Sequence, residues 1–281
     1  MSETKNTSAT SSWFANQLNS APSNTNKQDL YKKRIQRVED ATALKEGDCI
    51  PITPMMGALP YFLDGATYKD SMYNYDRASE ALIHFYEQFQ PDAATHTSFT
   101  SGRANELAQS SMIDWPGRPG SRVPDFSTHQ VIERELMYQE EYSEFIGDFT
   151  GFMLRKYIPR AFPGLKGLSD IRFVPSIVLN TTPLSSLYSP QAQEAFATLA
   201  KIGEEDAKAA AASNAVSNQL AEMGFPPFLT GAGEAPFDIL GDYYRGTLGA
   251  LTDQLECPDD IEAACNMLAD IQIESDRKSV V

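Results

Sequence analysis

Two side chains in this sequence are suited to acid–base or polar chemistry, His96 and Asp238. His96 falls in a predicted strand, where an imidazole could polarise a substrate or shuttle a proton. The alternative is a core histidine bonded to backbone. Asp238 lies in the first turn of a predicted helix, where a carboxylate either serves a ligand or only complements the helix dipole. We predict both as catalytic residues, with these alternatives open.

Residues with ligand-binding character stand in the turns and loops around these two. Met55 and Met56, in the breaker-rich turn 54–60, could line an apolar pocket or simply pack. Gly231 and Gly233 form a corner at which a ligand could approach the backbone closely, although any tight turn also needs glycine. The sequence predicts all four as substrate-binding residues.

Arg103 is a further candidate for substrate binding. It follows the predicted strand 92–99 and stands three residues before Glu106. Loops after strands commonly face ligands. The same spacing also suits an ion pair on a helix surface, which would have no role in binding.

Cysteine usage predicts neither a disulfide framework nor a metal site. The three cysteines, Cys49, Cys257 and Cys265, form no C-x-x-C pair, which is typical of a reducing cytoplasm. Cys265 falls on an apolar helical stripe and is predicted to be a buried structural thiol. Nucleotide-binding, nucleophile-elbow and H-E-x-x-H motifs do not occur in the sequence. We therefore predict no bound metal or cofactor.

The charge balance predicts a small-molecule ligand rather than a polyanion. The chain has 23 basic and 38 acidic residues, a formal net charge of −15. Such a chain is repelled by phosphate backbones and anionic lipid, so nucleic acid and membrane partners are not expected. Residues 1–28 are rich in Ser, Thr and Asn and are predicted to be a disordered leader. No stretch of about 18 apolar residues predicts a membrane span.

Strand and helix signals alternate, which predicts a helix-rich α/β class with parallel strands. The predicted strands are residues 48–53, 92–99, 171–180 and 226–230. The predicted helices are residues 29–44, a segment from Thr67 that is clearest from Ala78, and then 101–112, 130–160, 190–223, 237–255 and one starting at Pro258.

Residues 224–249 suggest a family. The run Phe228-Leu229-Thr230-Gly231-Ala232-Gly233, followed by Ala235-Pro236-Phe237, resembles the G-F-x-G-A-P-[WF] strand and loop of the uroporphyrinogen decarboxylase family. The order of elements over residues 31–273 resembles that family too. The resemblance implies the first half of a (β/α)₈ barrel over residues 29–281, a truncated domain, with Phe237 contacting substrate.

Two departures favour the corrinoid-dependent methyltransferase branch of the superfamily. The turn 54–60 lacks the arginines of the R-Q-A-G-R motif, and Ser98-Phe99-Thr100-Ser101 lacks the catalytic aspartate of true decarboxylases. Eight porphyrinogen carboxylates need cationic partners. The resemblance therefore implies corrinoid-related methyl transfer, with zinc and a corrinoid held by the complete family member.

Two alternatives remain at this point. One is uroporphyrinogen decarboxylation in tetrapyrrole biosynthesis, by an atypical site. The other is a non-catalytic binding or interaction fragment, because an incomplete barrel leaves unpaired strand groups that a complementary half or a second copy could cover.

Overall fold

The computed structural model describes residues 25–95, 97–175, 180–228 and 233–279, and these are mostly helical. They divide into two compact units. Unit 1 draws on Met1–Ser101, Pro124–Thr128 and Asp206–Thr230. Unit 2 draws on Gly102–Val123, His129–Glu205 and Gly231–Val281. The helix-rich part of the sequence prediction is confirmed.

The helices and strands follow one another along the chain as listed here. Unit 1 begins with α1 (Thr25–Thr42), α2 (Leu59–Leu63), α3 (Tyr68–Tyr73) and α4 (Tyr75–Phe89). Then come α5 (Gly102–Ala108), β1 (Ile113–Asp114), β2 (Gln130–Val131), α6 (Tyr142–Gly147), α7 (Phe149–Phe152) and α8 (Ile158–Ala161). The last are α9 (Pro190–Glu222), α10 (Pro236–Ile239), α11 (Gly246–Glu256) and α12 (Pro258–Ser279). Short 3₁₀ and π turns connect several of them.

Most helix predictions are confirmed because their sequence signals are local. Thr67 caps α3: its hydroxyl accepts from the Asp70 N–H, and the Asp70 carboxylate accepts from the Thr67 N–H at 2.8 Å. In α4 the buried residues recur at helical spacing, as Ala78, Ala81, Leu82, Phe85 and Tyr86. The predicted helix over 130–160 is wrong in its first part, because residues 130–131 form β2 and α6 starts at Tyr142.

The predicted parallel strands are largely replaced by three hydrogen-bonded segments in unit 1, residues 52–54, 92–95 and 226–228. The Asp92 N–H donates to the Ile52 carbonyl at 2.8 Å. The Ala94 N–H donates to the Pro226 carbonyl at 2.7 Å, and the Phe228 N–H donates to the Ala94 carbonyl at 3.0 Å. Only the Ala94–Pro227 pair forms a parallel bridge among the described residues.

Proline and side-chain competition explain why these segments are not longer strands. Pro51, Pro54, Pro226 and Pro227 have no N–H to donate, so the strand predictions at 48–53 and 226–230 are wrong over their described residues. In the strand predicted at 92–99, the Tyr86 hydroxyl donates to the Thr95 carbonyl at 2.9 Å and accepts from the Thr95 N–H at 2.8 Å. One side chain therefore takes both backbone groups that a further strand would need.

The remaining strand prediction, residues 171–180, also fails where the structure describes it. Residues 171–175 are neither helix nor strand, and residues 176–179 lie outside the described residues.

β1 and β2 pair antiparallel in unit 2, with Ile113 opposite Val131. The predicted leader lies outside the described residues up to residue 24. No helix in the described part of the chain has the length and apolar character needed to cross a bilayer.

Each unit has its own apolar core. In unit 1, α4 packs with residues of α9 and with Phe225, whose ring meets Tyr86 at a centroid distance of 5.1 Å. In unit 2, Phe145 makes edge contacts with Phe149, Phe152 and Tyr244. The long helix α9 supplies residues to both units.

We predict that Asp92→Ala lowers the free energy of unfolding of the chain by about 3 kcal/mol. The buried Asp92 carboxylate accepts from the Ile52 N–H at 2.8 Å and from Arg37 Nη1 at 2.6 Å, so its loss leaves the Ile52 N–H without an acceptor and leaves Arg37 paired with Asp48 alone. Urea unfolding followed by circular dichroism measures the change. Asp125→Ala, at an exposed carboxylate paired with Lys69, is the matched control and is expected to cost under about 1 kcal/mol. Equal losses in the two variants would contradict the prediction.

A second prediction concerns acid stability in unit 2. Burial alone raises the pKa of Glu141, but hydrogen bonds from Arg160, the Tyr138 N–H and Lys156 bring it down to about 2, from an ordinary value of 4.5. A lowered folded-state pKa stabilises the protein above pH 4.5, and that stabilisation is lost as the pH falls towards about 2. Glu141→Gln should therefore flatten the acid limb of a stability–pH curve measured by urea midpoint. The exposed neighbour Glu140→Gln should leave that limb steep, and an identical flattening by both would contradict the assignment.

Candidate functional site

Two predicted site residues of unit 1, Met55 and Met56, directly follow the first hydrogen-bonded segment, residues 52–54. Met56 is buried in the unit 1 core, with 7% of its surface exposed, whereas Met55 is 68% exposed. The packing alternative therefore describes Met56, and Met55 is the residue of the pair that a ligand could reach. His96 and Gly231 lie outside the described residues.

The other predicted site residues belong to unit 2. Arg103 donates to Glu106 at 2.9 Å on the surface of α5, so the ion pair of the alternative interpretation is present. Phe237 packs against the unit 2 core, and Asp238, its neighbour in α10, is exposed. As ligand contacts, all of these residues remain predictions.

Hydrogen bonds join the backbone just after the glycine corner to a side chain of α12. Gly233 is exposed and precedes Glu234. The Gln272 side-chain amide pairs with both backbone groups of Glu234: its oxygen accepts from the N–H at 3.2 Å, and its nitrogen donates to the carbonyl at 3.1 Å. A single side chain thus holds the backbone just after the corner.

The structure places Arg245, which the sequence analysis did not select as a site residue, at the centre of a buried cluster of charged residues in unit 2. Its side chain is 4% exposed and forks onto the Asp253 carboxylate, with Nε to Oδ2 at 2.5 Å and Nη2 to Oδ1 at 3.1 Å. Its Nη1 donates to Glu135 and to the Met137 carbonyl. This is a bidentate, charge-assisted contact of the strongest kind.

A tyrosine completes this buried cluster. The Tyr142 hydroxyl donates to Asp253 Oδ2 at 2.9 Å, and Asp253 is 1% exposed. Burial, and then the hydrogen bond to Asp253, raise the pKa of Tyr142 above its usual range. Burial alone would lower the pKa of Arg245, but the bonds to Asp253 and Glu135 raise it. Tyr142 therefore stays neutral and Arg245 stays charged at any physiological pH.

Backbone geometry explains why Arg245 and Asp253 meet although they are eight residues apart. A π turn over Leu240–Arg245 precedes α11, and Gly246 adopts a φ of +72°, a left-handed conformation that favours glycine. The sequence signal that could have found this pair was Gly246, a glycine directly after an arginine inside a predicted helix. The prediction of one continuous helix over 237–255 missed it.

An open groove of about 730 Å³ lies over this cluster in unit 2. Its lining includes the buried Arg245–Asp253 pair at the base and exposed acidic side chains around it. The charged residues among its lining are Glu133, Arg134, Glu135, Glu140, Arg245, Asp253 and Glu256. Five carboxylates against two guanidinium groups leave a formal charge of −3, so the groove favours a cationic ligand.

The arrangement suits binding better than catalysis. Every nitrogen of the Arg245 guanidinium already has a protein acceptor, so this group cannot receive a substrate anion without losing one. Cys257 nearby is no activated nucleophile, because burial and the Asp253 charge raise the pKa of its thiol. Over residues 25–95, 97–175, 180–228 and 233–279, no three His, Cys, Asp or Glu side chains are placed to hold a metal ion.

We predict that Asp253→Asn destabilises unit 2 by about 3 kcal/mol, because it leaves the buried Arg245 charge with a single, partly exposed carboxylate partner, Glu135. Chemical denaturation measures the loss, and Asp242→Asn, at an exposed carboxylate of the preceding turn, serves as the control. Tyr142→Phe should cost about 1 kcal/mol, the typical value of one hydrogen bond. If Asp253→Asn proved as harmless as the control, the buried pair would not be holding unit 2 together.

Comparison of this chain with protein-family models, curated proteins and solved structures found no significant match.

Proposed function

We propose that this chain is a uroporphyrinogen-decarboxylase-like protein related to corrinoid-dependent methyl transfer. The observation that carries the proposal is the set of three hydrogen-bonded segments in unit 1. Residues 52–54, 92–95 and 226–228 lie side by side in that order, with a parallel bridge between the last two. These are the segments that the family resemblance assigns to successive strands of a partial (β/α)₈ barrel.

The proposal places the ligand at the carboxyl ends of these segments, where barrel enzymes bind their substrates. In sequence, Met55 follows the first segment and His96 follows the second. Of the two methionines, Met55 is the one whose side chain is accessible. Its thioether offers a flexible apolar contact that suits the flat, largely apolar face of a corrin ring.

Zinc, which the methyltransferase branch uses, does not fit the described residues. Cys49, Cys257 and Cys265 belong to no group of potential ligands there. We therefore assign no step of the reaction to a metal held by these residues. The role proposed for this chain is to bind and orient the methyl-carrying ligand through Met55.

A non-catalytic interaction protein is the second candidate, and a specific observation favours it. The segment before Met55 presents bare apolar side chains, Ile50 at 86% and Ile52 at 62% exposed. Large exposed apolar residues that cluster along one edge are typical of a surface that another chain covers. Decarboxylation of a porphyrinogen has no comparable support, because the turn 54–60 carries no arginine for the substrate carboxylates.

Hydroxocobalamin is the probe for the first candidate. We expect the chain to retain it through gel filtration, detected by corrin absorbance, and Met55→Asp to weaken retention at least about tenfold, because a carboxylate is costly against an apolar ring. Leu44→Asp, at a residue 94% exposed, is the control and should retain the corrinoid as the unaltered chain does.

Absence of corrinoid retention by the unaltered chain would refute the methyl-transfer proposal. Light scattering on the same samples addresses the second candidate separately. Self-association that Ile50→Ser abolishes would favour an interaction protein, whereas a monomer that retains corrinoid would favour the first candidate.

A further inference from the structure

Helix α11 presents an apolar stripe that its own unit leaves open. Leu248, Leu251 and Leu255 are 79%, 53% and 87% exposed. Their spacing of three and four residues places them on one helical face. A leucine gains about 1.5–3 kcal/mol when it is fully buried, so three such residues in a row favour a partner surface.

The stripe borders the acidic groove of unit 2. Leu248 belongs to both, because it also lines the groove together with Thr252 and Glu256 from the next face of α11. The opposite rim is formed by residues after β2, including the exposed Glu133 and Glu140. The apolar stripe and the negatively charged groove therefore lie next to each other.

The outer carboxylates of the groove have no cationic partner within unit 2, unlike the inner ones. Glu135 and Asp253 pair with Arg245. Within the described residues, no basic side chain forms an ion pair with Glu133, Glu140 or Glu256, and Glu256 accepts only from the neutral Gln139 amide at 2.8 Å. The rim thus keeps negative charge that a ligand could neutralise.

We infer that α11 and this groove dock an amphipathic helical segment of another protein, with lysine or arginine along one face and aliphatic residues along the other. The aliphatic face covers Leu248, Leu251 and Leu255, and the basic face enters the groove towards Glu140 and Glu256. Helix-in-groove binding of this kind uses anchors at helical spacing, which matches the spacing on α11.

Charge decides between this occupant and a second copy of the chain. The whole chain carries a formal net charge of −15 and the groove itself −3, so two copies meeting at this groove would repel. A basic segment instead gains from both the apolar contact and the charge difference. The inference uses residues of unit 2 alone and does not depend on the proposed methyl-transfer function.

A labelled peptide of about 18 residues, built of leucine and lysine in amphipathic helical register, is the probe. Fluorescence anisotropy should show saturable binding to the whole chain that weakens as salt rises, since rim charges are screened. Leu255→Ser and the double variant Glu140→Lys/Glu256→Lys should each weaken it at least about tenfold. Leu255, Glu140 and Glu256 are all exposed, and thermal unfolding checks that the variants remain folded.

Two controls sharpen the test. Leu44→Ser removes an equally exposed leucine from unit 1 and should leave peptide binding unchanged. A peptide with glutamate in place of each lysine should not bind. Absence of binding, or binding that the unit 2 variants do not alter, would overturn the inference. So would light scattering that shows a dimer dissociated by Leu255→Ser, since the stripe would then belong to a second copy.

Discussion

The buried carboxylate of Asp92 holds the non-helical part of unit 1 together. It accepts from the Ile52 backbone and from Arg37, while the Asp92 backbone donates to the Ile52 carbonyl. A sheet would satisfy these groups through neighbouring strands, but the prolines on either side remove the donors that a longer ladder needs. A charged side chain takes the place of the missing backbone partner, and the position of the segment before Met55 follows from it.

Side chains also bind backbone groups elsewhere in the chain. The Tyr86 hydroxyl pairs with both backbone groups of Thr95, and the Gln272 amide pairs with both of Glu234. In unit 2 the Arg245 guanidinium reaches the Met137 carbonyl while it also binds Asp253. Buried backbone groups must be satisfied, and here side chains from helices satisfy them where strands are absent.

The elements that could be predicted from sequence are those with local signals. The apolar period of α4 and the alanine-rich run of α9 each act within one or two helical turns, and the helical segment from Thr67 and the helix over 190–223 were predicted from such signals. The strands could not be predicted in the same way, because a strand exists only if a distant segment supplies its partner. No pattern in the sequence around Thr95 indicates that the Tyr86 hydroxyl would form hydrogen bonds with the Thr95 N–H and carbonyl. The Arg245–Asp253 pair was missed for a related reason: it depends on the left-handed conformation at Gly246, which shifts the helix that follows.

Helix α9 limits how the two units can be separated into fragments. Unit 1 is assembled from three separate stretches of sequence, and α9 supplies side chains to the core of unit 1 and to a smaller apolar cluster of unit 2. Because the stretches of the two units alternate along the sequence, no single cut in the gene yields either unit with its full set of helices. A gene for either unit alone would therefore have to join stretches that are not contiguous in the natural order.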